Sequence, residues 1–363
     1  MGRLRLAVIG VGHLGKEHAR VLSEMPDVEL VGVVDVNAEQ AKTVALRCHT
    51  QGYEDYRPLL VQVDAAVIVT PTVTHHEVAQ EFLGKGISLL VEKPLTASVE
   101  QAEELVNLAN RQGALLQVGH IERFNPAFEE LQTRPLQPKF ILAQRLGLYT
   151  GRSTDIGAVF DLMIHDLDLL LTLVDSPVQT VEALGVSVLG GPEDMAQARL
   201  TFANGCIADL MASRISLEPS RRMQVWAPEG YARIDFARRA LTLLQPSEEL
   251  LRRRLQIGLH DANWSAGLKQ DLMGHHLQTL ELDCNRGDQL TRELQNFVHC
   301  LQTGDQPRVT GEAGCKAVAV ASRITESIRR HVWEAGEEPV CGPIDLPKPA
   351  GKLFTSHADE AAA

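Results

Sequence analysis

An apolar stretch near the middle of the chain, from 160 to 171, carries three titratable residues. Asp161, His165 and Asp168 stand at positions i, i+4 and i+7, so an α-helix would place all three on one face. Burial and a nearby carboxylate can hold an imidazole in one tautomer and tune its pKa toward neutrality, as a general base acting on a hydroxyl requires. The alternative is a structural Asp–His pair. No convincing third metal ligand lies near them, so we expect no metal.

Lys93 is the second residue suited to chemistry, and it lies in the sequence Val-Glu-Lys-Pro just past a predicted strand. Pro94 restricts the lysine backbone to an extended conformation, and a cis peptide here would fix its position. A lysine held in this way can donate to a reacting oxygen and stabilise developing charge. A Lys-Pro pair at a strand end is also an ordinary loop, and Glu92 is either the ion-pair partner of Lys93 or a solvated carboxylate.

A glycine-rich loop precedes both segments, and its residues are Gly10-Val11-Gly12-His13-Leu14-Gly15. The loop follows one predicted strand and opens a helix, which is the context that makes a GxGxxG pattern informative. The first two glycines allow a tight turn and a close approach to a pyrophosphate, the third allows close packing of helix and strand, and the helix N-terminus favours an anion. We therefore predict a dinucleotide site.

Asp35 follows Gly15 by 20 residues and ends the second predicted strand. A carboxylate at this position binds the adenosine ribose hydroxyls and repels a 2′-phosphate. Val36 and Asn37 offer no arginine to receive such a phosphate, so NAD is favoured over NADP. A tight turn followed by a surface aspartate is the structural alternative.

The elements that must position these residues read as a βαβ succession up to about residue 120. Amphipathic helical patterns lie between short apolar runs, which predicts an α/β domain with a doubly wound parallel sheet. The predicted strands are Leu4 to Ile9, Glu29 to Val34, Ala65 to Thr70, Ile87 to Val91 and Ala114 to Val118.

Several polar residues fall just past the carboxyl ends of these strands, at the edge where open parallel sheets bind ligands. We expect them to hold the cofactor together with the glycine loop, although Thr74 is equally a helix N-cap. The predicted contacts outside the loop are Asp35, Thr70, Pro71, Thr72, His75, Glu92, Lys93 and His120.

The second half of the chain has a different pattern. Hairpin-like runs such as Ala198 to Phe202 and Cys206 to Met211 flank Asn204-Gly205. Further strands are predicted at 223–227 and 232–236, and helices near 157–174, 289–302 and 313–331. We predict an α+β domain with a mostly antiparallel open sheet over 123–345, after a Rossmann domain over 1–122, and a disordered tail over 346–363.

Composition limits the classes of partner. The formal net charge of -12 argues against a general nucleic-acid-binding surface. The six cysteines show no CxxC pair, and no apolar run approaches the roughly 20 residues of a membrane span. We expect a cytoplasmic protein with reduced thiols and no membrane partner.

The motifs together resemble the glucose-fructose oxidoreductase, inositol dehydrogenase and rhizopine catabolism (Gfo/Idh/MocA) family, whose members share the glycine loop, a Glu-Lys-Pro motif and a D-x-x-x-H helix motif. The resemblance covers about residues 1 to 345 and implies that Lys93, Asp161 and His165 form the catalytic group. It also implies an NAD(P)-dependent dehydrogenase acting on a CH–OH group, in a homo-oligomer that is a dimer or tetramer.

Two segments, GHIERFNPA from 119 to 127 and DLMIHDLD from 161 to 168, are similar to family members that oxidise the 3-hydroxyl of UDP-N-acetylglucosamine or its uronic acid. This similarity implies a nucleotide-sugar substrate, with Arg145 or Arg152 as further phosphate ligands unless they form surface ion pairs. The predicted substrate contacts are Lys93, Arg123, Asn125, His165 and Asp168.

Rival functions fit the same motifs. One is a dehydrogenase of a free sugar or inositol, and another is transient oxidation during NAD-dependent glycoside cleavage. A third is a non-catalytic sensor that binds NAD and a partner protein. The presence of Lys93, Asp161 and His165 together argues against the sensor.

Overall fold

A computed structural model describes residues 2–151, 155–253, 269, 272–331 and 353–354. In these residues the chain forms a six-stranded and an eight-stranded sheet. The predicted boundary at 122/123 falls within a short 3-10 helix, Ile121–Phe124. No helix of the described part of the chain is both long enough and apolar enough to cross a membrane.

The first sheet is a parallel sheet with the strand order β3-β2-β1-β4-β5-β6. Its central strands, at 4–9, 65–68, 88–92 and 116–119, are mostly apolar and buried, as expected where helices cover both faces of a parallel sheet. The strands are β1 (Leu4–Ile9), β2 (Val28–Val34), β3 (Gln51–Tyr53), β4 (Ala65–Ile68), β5 (Ser88–Glu92) and β6 (Leu116–Gly119). The helices are α1 (Gly15–Glu24), α2 (Ala38–Arg47), α3 (Thr72–Leu83) and α4 (Val99–Gln112), with a 3-10 helix at Arg57–Val61.

The strand order reverses between β1 and β4, which creates the crevice where doubly wound folds bind ligands. The prediction of a Rossmann-type sheet is confirmed, with each predicted strand shifted by at most two residues at either end. β3 escaped prediction because it has three residues, one of them Gly52, and so carries no periodic signal.

The second sheet has the order β14-β13-β12-β11-β7-β10-β9-β8. All neighbouring pairs are antiparallel except β7 and β10, which confirms the mostly antiparallel prediction. Its strands are β7 (Phe140–Leu146), β8 (Val178–Val186), β9 (Met195–Phe202), β10 (Ile207–Ser213), β11 (Ser220–Ala227), β12 (Gly230–Asp235), β13 (Ala240–Pro246) and β14 (Leu277–Asp283). The remaining helices are α5 (Pro126–Gln132), α6 (Ile164–Leu173), α7 (Glu248–Leu251), α8 (Gln289–Thr303) and α9 (Gly311–Arg330), with a π-helical turn at Leu272–His276.

Alternation along β7 shows which face of this sheet is covered. Ile141, Ala143 and Arg145 are buried, whereas the residues between them are partly exposed. Helices α6 and α9 pack together on the domain core. The inward face of β7 therefore leads from an apolar core to a buried arginine at the end that approaches α6.

The helix predicted at 157–174 is not a single α-helix. Its first part, Val159–Met163, is a π-helical turn, and α6 begins only at Ile164. A π turn closes i→i+5 hydrogen bonds and changes the angular spacing of side chains. The predicted shared face of Asp161 and His165 assumed one α-helix, whereas Asp161 lies in the π-helical turn and His165 lies in the first turn of α6.

The tail predicted to be disordered includes a buried contact. Phe354 is 7% exposed and meets Tyr56 edge-on, with ring centroids 5.1 Å apart. Leu353 packs beside it against the core. The disorder prediction is wrong at these two residues because an aromatic side chain provides apolar surface to bury.

Candidate active site

The glycine loop forms a tight turn between β1 and α1. Gly10 has a φ of 86°, and a Cβ there would lie 2.7 Å from the main-chain oxygen of Val69. A Cβ on Gly15 would lie 1.9 Å from the oxygen of Gly10. A Cβ on Gly12 would meet nothing within 4 Å, so this glycine borders open space. Two glycines thus close the turn, and the middle one leaves the backbone accessible to a ligand.

His13 and Leu14 complete this loop on its open side. Both are exposed, and 50% of the Leu14 surface is accessible. Leu14 directly precedes α1, whose first turn presents main-chain amides without helical partners. The predicted loop residues therefore lie together at an anion-binding helix end.

Asp35 is partly buried at the end of β2 and organises the loop beside it. Its Oδ2 accepts from the amide of Val11 at 3.0 Å, and its Oδ1 accepts from the amide of Asn37 at 3.0 Å. Gln40 donates to the main-chain oxygen of Val11 at 2.8 Å. The carboxylate is thus fixed next to the glycine loop, as the sequence predicts for a ribose ligand.

The segment after β4 uses its polar groups to fix its own shape. The Thr74 hydroxyl lies 2.8 Å from both Thr70 Oγ1 and the oxygen of Pro71. Thr72 begins α3 and is 7% exposed. Thr74 therefore serves the local turn, while Thr70 and Pro71 keep partly exposed surface at the sheet edge.

His75 is 1% exposed and links two strand ends. Its Nδ1 lies 2.9 Å from the oxygen of Pro94, and its Nε2 lies 2.8 Å from the oxygen of Thr70. Burial lowers the pKa of His75. Each ring nitrogen faces a main-chain oxygen, the neutral ring can donate to only one of them, and this enclosure argues against the predicted direct contact with a cofactor.

Lys93 reaches from the end of β5 to the π-helical turn. Its Nζ donates to the main-chain oxygen of Asp161 at 2.6 Å and lies 3.2 Å from the Asp161 carboxylate. The Lys93–Pro94 peptide is cis. The Lys93 side chain is 13% exposed, so the ammonium group is held in a largely desolvated position between the two sheets.

Glu92 is buried, and its carboxylate contacts His18 and the main chain of Lys93, not the Lys93 ammonium group. Its Oε1 lies 3.0 Å from His18 Nε2, and its Oε2 accepts the amide of Lys93. Burial raises the pKa of Glu92, but the hydrogen bond from His18 and the charges of His18 and Lys93 lower it overall. Glu92 is therefore a carboxylate that holds the Lys93 main chain, which argues against its predicted cofactor contact.

His165 lies on α6 and is partly exposed, but its Nδ1 is buried without a hydrogen-bond partner in the described residues. Its pKa falls well below the usual histidine range, first because of burial and then because of the charges of Lys93, Arg145 and further cations. The Asp161 carboxylate binds Lys93, so the predicted orientation of His165 by Asp161 is not found. The lowered pKa favours the neutral imidazole, which is the form that a base requires.

His120 follows β6 and is 1% exposed. Neither ring nitrogen has a hydrogen-bond partner among the residues described. Burial lowers its pKa, and the charges of Asp168, Arg123 and Lys93 also act on it. Unpartnered buried nitrogens are rare in folded proteins, so a ligand partner at this edge is expected.

The predicted substrate residues Arg123 and Asp168 bind each other. Arg123 donates Nε and Nη2 to the two carboxylate oxygens at 2.7 and 3.0 Å. Asn125 is fully buried and caps α5, because its Oδ1 accepts from the amide of Ala127. Its Nδ2 donates to Glu122 and to the oxygen of Phe236. This placement argues against a substrate contact by Asn125.

Arg145 is also bound inside the protein. It is 3% exposed, donates to both oxygens of Asp166 at 3.0 and 2.9 Å, and donates to Glu122 at 2.9 Å. It is thus neither a phosphate ligand nor a surface ion pair, while Arg152 lies outside the described residues. Sequence reasoning missed Asp166 and Glu122, although each is a charged residue next to an apolar one in a segment already singled out, and a buried charge needs a partner.

This sheet edge fits a nicotinamide dinucleotide. The open side of Gly12, the amides before α1 and the fixed carboxylate of Asp35 suit a pyrophosphate and a ribose. His120, whose ring nitrogens lack partners in the described residues, follows β6 at the same edge, and the charge of Lys93 acts both on it and on His165 of α6. The residues present can therefore hold the dinucleotide with its reactive end beside the lysine and the two histidines.

Comparisons with known proteins agree with this geometry. Residues 4–120 match the oxidoreductase family with an NAD-binding Rossmann fold, and residues 135–233 match the GFO/IDH/MocA C-terminal domain. The chain is 35% identical to UDP-N-acetylglucosamine 3-dehydrogenase of Acidithiobacillus ferrooxidans over 90% of this chain and 98% of that one. It is 31% identical to scyllo-inositol 2-dehydrogenase (NAD(+)) of Bacillus subtilis, over 90% and 94% of the two chains.

Solved structures show the same fold. The UDP-N-acetylglucosamine 3-dehydrogenase of Acidithiobacillus ferrooxidans superposes with a TM-score of 0.79 at 33% identity, covering 90% of this chain and 98% of that one. Levoglucosan dehydrogenase superposes with a TM-score of 0.74 at 17% identity, over 90% and 97% of the chains, a likeness of fold alone. From its two matching domains and its Rossmann edge with Lys93 and His165, the chain belongs to the Gfo/Idh/MocA oxidoreductase family.

Proposed function

We propose that the protein oxidises the 3-hydroxyl of a UDP-N-acetylhexosamine to a ketone, with NAD as the oxidant. The single observation that carries this proposal is that the ammonium group of Lys93, held in a largely desolvated position at the ligand edge of a Rossmann sheet, acts by its charge on the partly exposed His165 and helps to lower its pKa. A neutral imidazole accepts a proton, and the ammonium group donates a hydrogen bond to the oxygen that loses it.

In the proposed reaction His165 takes the hydroxyl proton while Lys93 binds the same oxygen. Bound NAD would accept the carbon-bound hydrogen as hydride at C4 of the nicotinamide, which leaves a ketosugar, NADH and one proton. Asp161 positions Lys93 through two oxygen contacts instead of orienting His165. His165 therefore removes the proton, and Lys93 stabilises the oxygen that loses it.

The preference for NAD depends on Asp35. Its carboxylate is fixed beside the glycine loop, and the residues after it, Val36 and Asn37, carry no positive charge. A 2′-phosphate would meet a negative group without a cation to receive it.

We propose that the protein works as a homo-oligomer in the cytoplasm.

The nucleotide-sugar substrate rests on the 35% identity with a UDP-N-acetylglucosamine 3-dehydrogenase across nearly its whole length. A free cyclitol is the second candidate, because the chain is also 31% identical to a scyllo-inositol dehydrogenase. The two differ in charge, since the nucleotide sugar carries a diphosphate and inositol carries none. An arginine that is available near the site would therefore favour the nucleotide sugar over the cyclitol.

The test is NADH absorbance with purified protein, NAD and UDP-N-acetylglucosamine, with N-acetylglucosamine and scyllo-inositol as parallel substrates. His165→Asn and Lys85→Met serve as the site variant and the exposed-lysine control. We expect NADH with the nucleotide sugar, a loss of about 100-fold or more in His165→Asn and no change in the control. Turnover only with inositol would reject the substrate, and full activity in His165→Asn would reject the base.

A further inference from the structure

Among the described residues, Arg145 and Arg221 act on His165 and Arg123 acts on His120, and two of these three arginines are already neutralised. Arg123 forms two hydrogen bonds with Asp168, and Arg145 is shared between Asp166 and Glu122. Removing either guanidinium group from its carboxylate to bind a substrate would leave a buried negative charge without a partner. Neither is therefore free to recognise an anion.

Arg221 is the third arginine, and its place in the sheet directs it toward the same site. It stands near the start of β11 directly opposite Arg145 of β7, and residues opposite each other in an antiparallel pair project from the same face. Met223 and Val225 follow on that face and are buried. Arg221 thus continues the inward face of the sheet at its open end.

Arg221 differs from the other two because it is exposed and has no ion-pair or hydrogen-bond partner for its side chain within the described ranges. Its neighbour Arg222 projects from the opposite face and pairs with Asp235 at 3.3 Å. The charge of Arg221 acts on the active site, since it lowers the pKa of His165 and of Glu122. A free guanidinium therefore borders the site.

We propose that Arg221 binds the diphosphate of the nucleotide-sugar substrate and so determines the preference for a nucleotide sugar over an uncharged one; this inference rests on the proposed function. A guanidinium group binds phosphate oxygens in a bidentate manner and keeps its charge at every relevant pH. In the substrate the diphosphate is attached at carbon 1, apart from the reacting hydroxyl at carbon 3. A cation near His165, but not bonded to it, suits that separation.

The charge balance of the chain supports this assignment. A protein with a net charge of -12 repels a substrate that carries a diphosphate. Among the described residues, Lys93 and Arg145 are paired with carboxylates, whereas Arg221, whose charge also acts on His165, has none. Local positive charge at the mouth of the site offsets the repulsion and draws the anionic end of the substrate there.

The experiment compares Arg221→Gln with Arg222→Gln, its neighbour on the opposite face. KM and kcat are measured at pH 8 for UDP-N-acetylglucosamine and for N-acetylglucosamine, and UDP binding is measured by calorimetry. Since a hydrogen bond to a charged group contributes about 1.5–3 kcal/mol, Arg221→Gln is expected to raise KM for the nucleotide sugar about 10- to 150-fold. The expected change in kcat is less than threefold, with no change for the free sugar and none in Arg222→Gln.

Equal losses with both sugars, or unchanged UDP affinity in Arg221→Gln, would overturn the inference. The calorimetric arm needs no turnover, so it separates this inference from the proposed function. If no sugar yields NADH but UDP binds in an Arg221-dependent manner, the reaction assignment fails and the diphosphate site stands. If sugars are oxidised and the affinity for UDP is the same in Arg221→Gln as in the parent protein, only this inference fails.

Discussion

The ammonium nitrogen of Lys93 lies 2.6 Å from the main-chain oxygen of Asp161 and 3.2 Å from its carboxylate. One side chain thus connects the end of β5 in the Rossmann sheet to the π-helical turn that precedes α6. A main-chain oxygen does not change with the side chain at 161, so part of this connection survives substitution of the aspartate.

This geometry predicts unequal effects of two substitutions. Lys93→Met removes the donor to the reacting oxygen and is expected to lower kcat about 100- to 1000-fold while NAD binding is retained. Asp161→Ala keeps the main-chain contact and is expected to lower kcat by about tenfold. Steady-state kinetics and NAD titration by fluorescence check both values, with Lys85→Met as the exposed control. A larger loss in Asp161→Ala than in Lys93→Met would contradict this division of roles.

The pH dependence of the reaction follows from the environment of His165. Burial lowers its pKa first, and the positive charges of Lys93, Arg145 and Arg221 lower it further, although acidic residues of the same segment also face the site. The neutral imidazole is the active form, so activity persists at pH values below the ordinary histidine pKa of about 6.5.

We therefore expect the acid limb of the kcat/KM profile below pH 6.5, and we expect Lys93→Met to move that limb toward higher pH because a positive charge is lost. The profile of residual activity in Lys93→Met is measured beside that of Lys85→Met. An acid limb that stays in place in Lys93→Met would show that His165 does not titrate in the reaction.

The sequence predicted the Rossmann sheet and its ligand edge because strand periodicity, the glycine turn and Asp35 are local signals. The sequence-based prediction failed where contacts between distant segments determine which group a side chain binds. His75, Glu92 and Asn125 are polar residues at the right edge, but the buried groups that occupy their side chains come from distant segments, such as His18 and Phe236. Spacing along the chain carries no information on such partners.

The π-helical turn at Val159–Met163 was beyond prediction for a related reason. Its residues have the apolar pattern of an α-helix, and the extra residue per turn has no distinct sequence signature. Arg221 carried no motif at all. It became visible only when the register of β11 against β7 placed it opposite Arg145.

The buried group of Arg145, Asp166 and Glu122 leads to a prediction about stability. Burial lowers the pKa of Arg145, but the charges of Asp166 and Glu122 raise it overall, so the guanidinium stays charged between two carboxylates. Arg145→Met leaves both carboxylates buried without a cation and is expected to lower the free energy of unfolding by about 3–5 kcal/mol. Urea denaturation measures this loss, and the exposed Arg222→Gln is expected to change it by no more than about 0.5 kcal/mol. Comparable losses in the two variants would contradict the assignment.

Glu293 on α8 predicts a different pH effect on stability. It is fully buried, and neither carboxylate oxygen has a hydrogen-bond partner in the described part of the chain. Burial raises its pKa well above the usual value, and the charge of Glu92 raises it further. The folded state therefore keeps a proton that the unfolded state releases above its pKa of about 4.3.

By linkage, a group whose folded pKa is raised stabilises the protein fully below the unfolded pKa, and this contribution is lost as pH rises toward the folded pKa. Glu293→Gln holds an uncharged group of the same shape at every pH. We therefore expect the variant to gain stability relative to the parent between pH 5 and pH 8, measured by urea denaturation at both values. The exposed Glu281→Gln should show no such gain. A constant difference between parent and Glu293→Gln at the two pH values would mean that Glu293 is ionised in the folded protein.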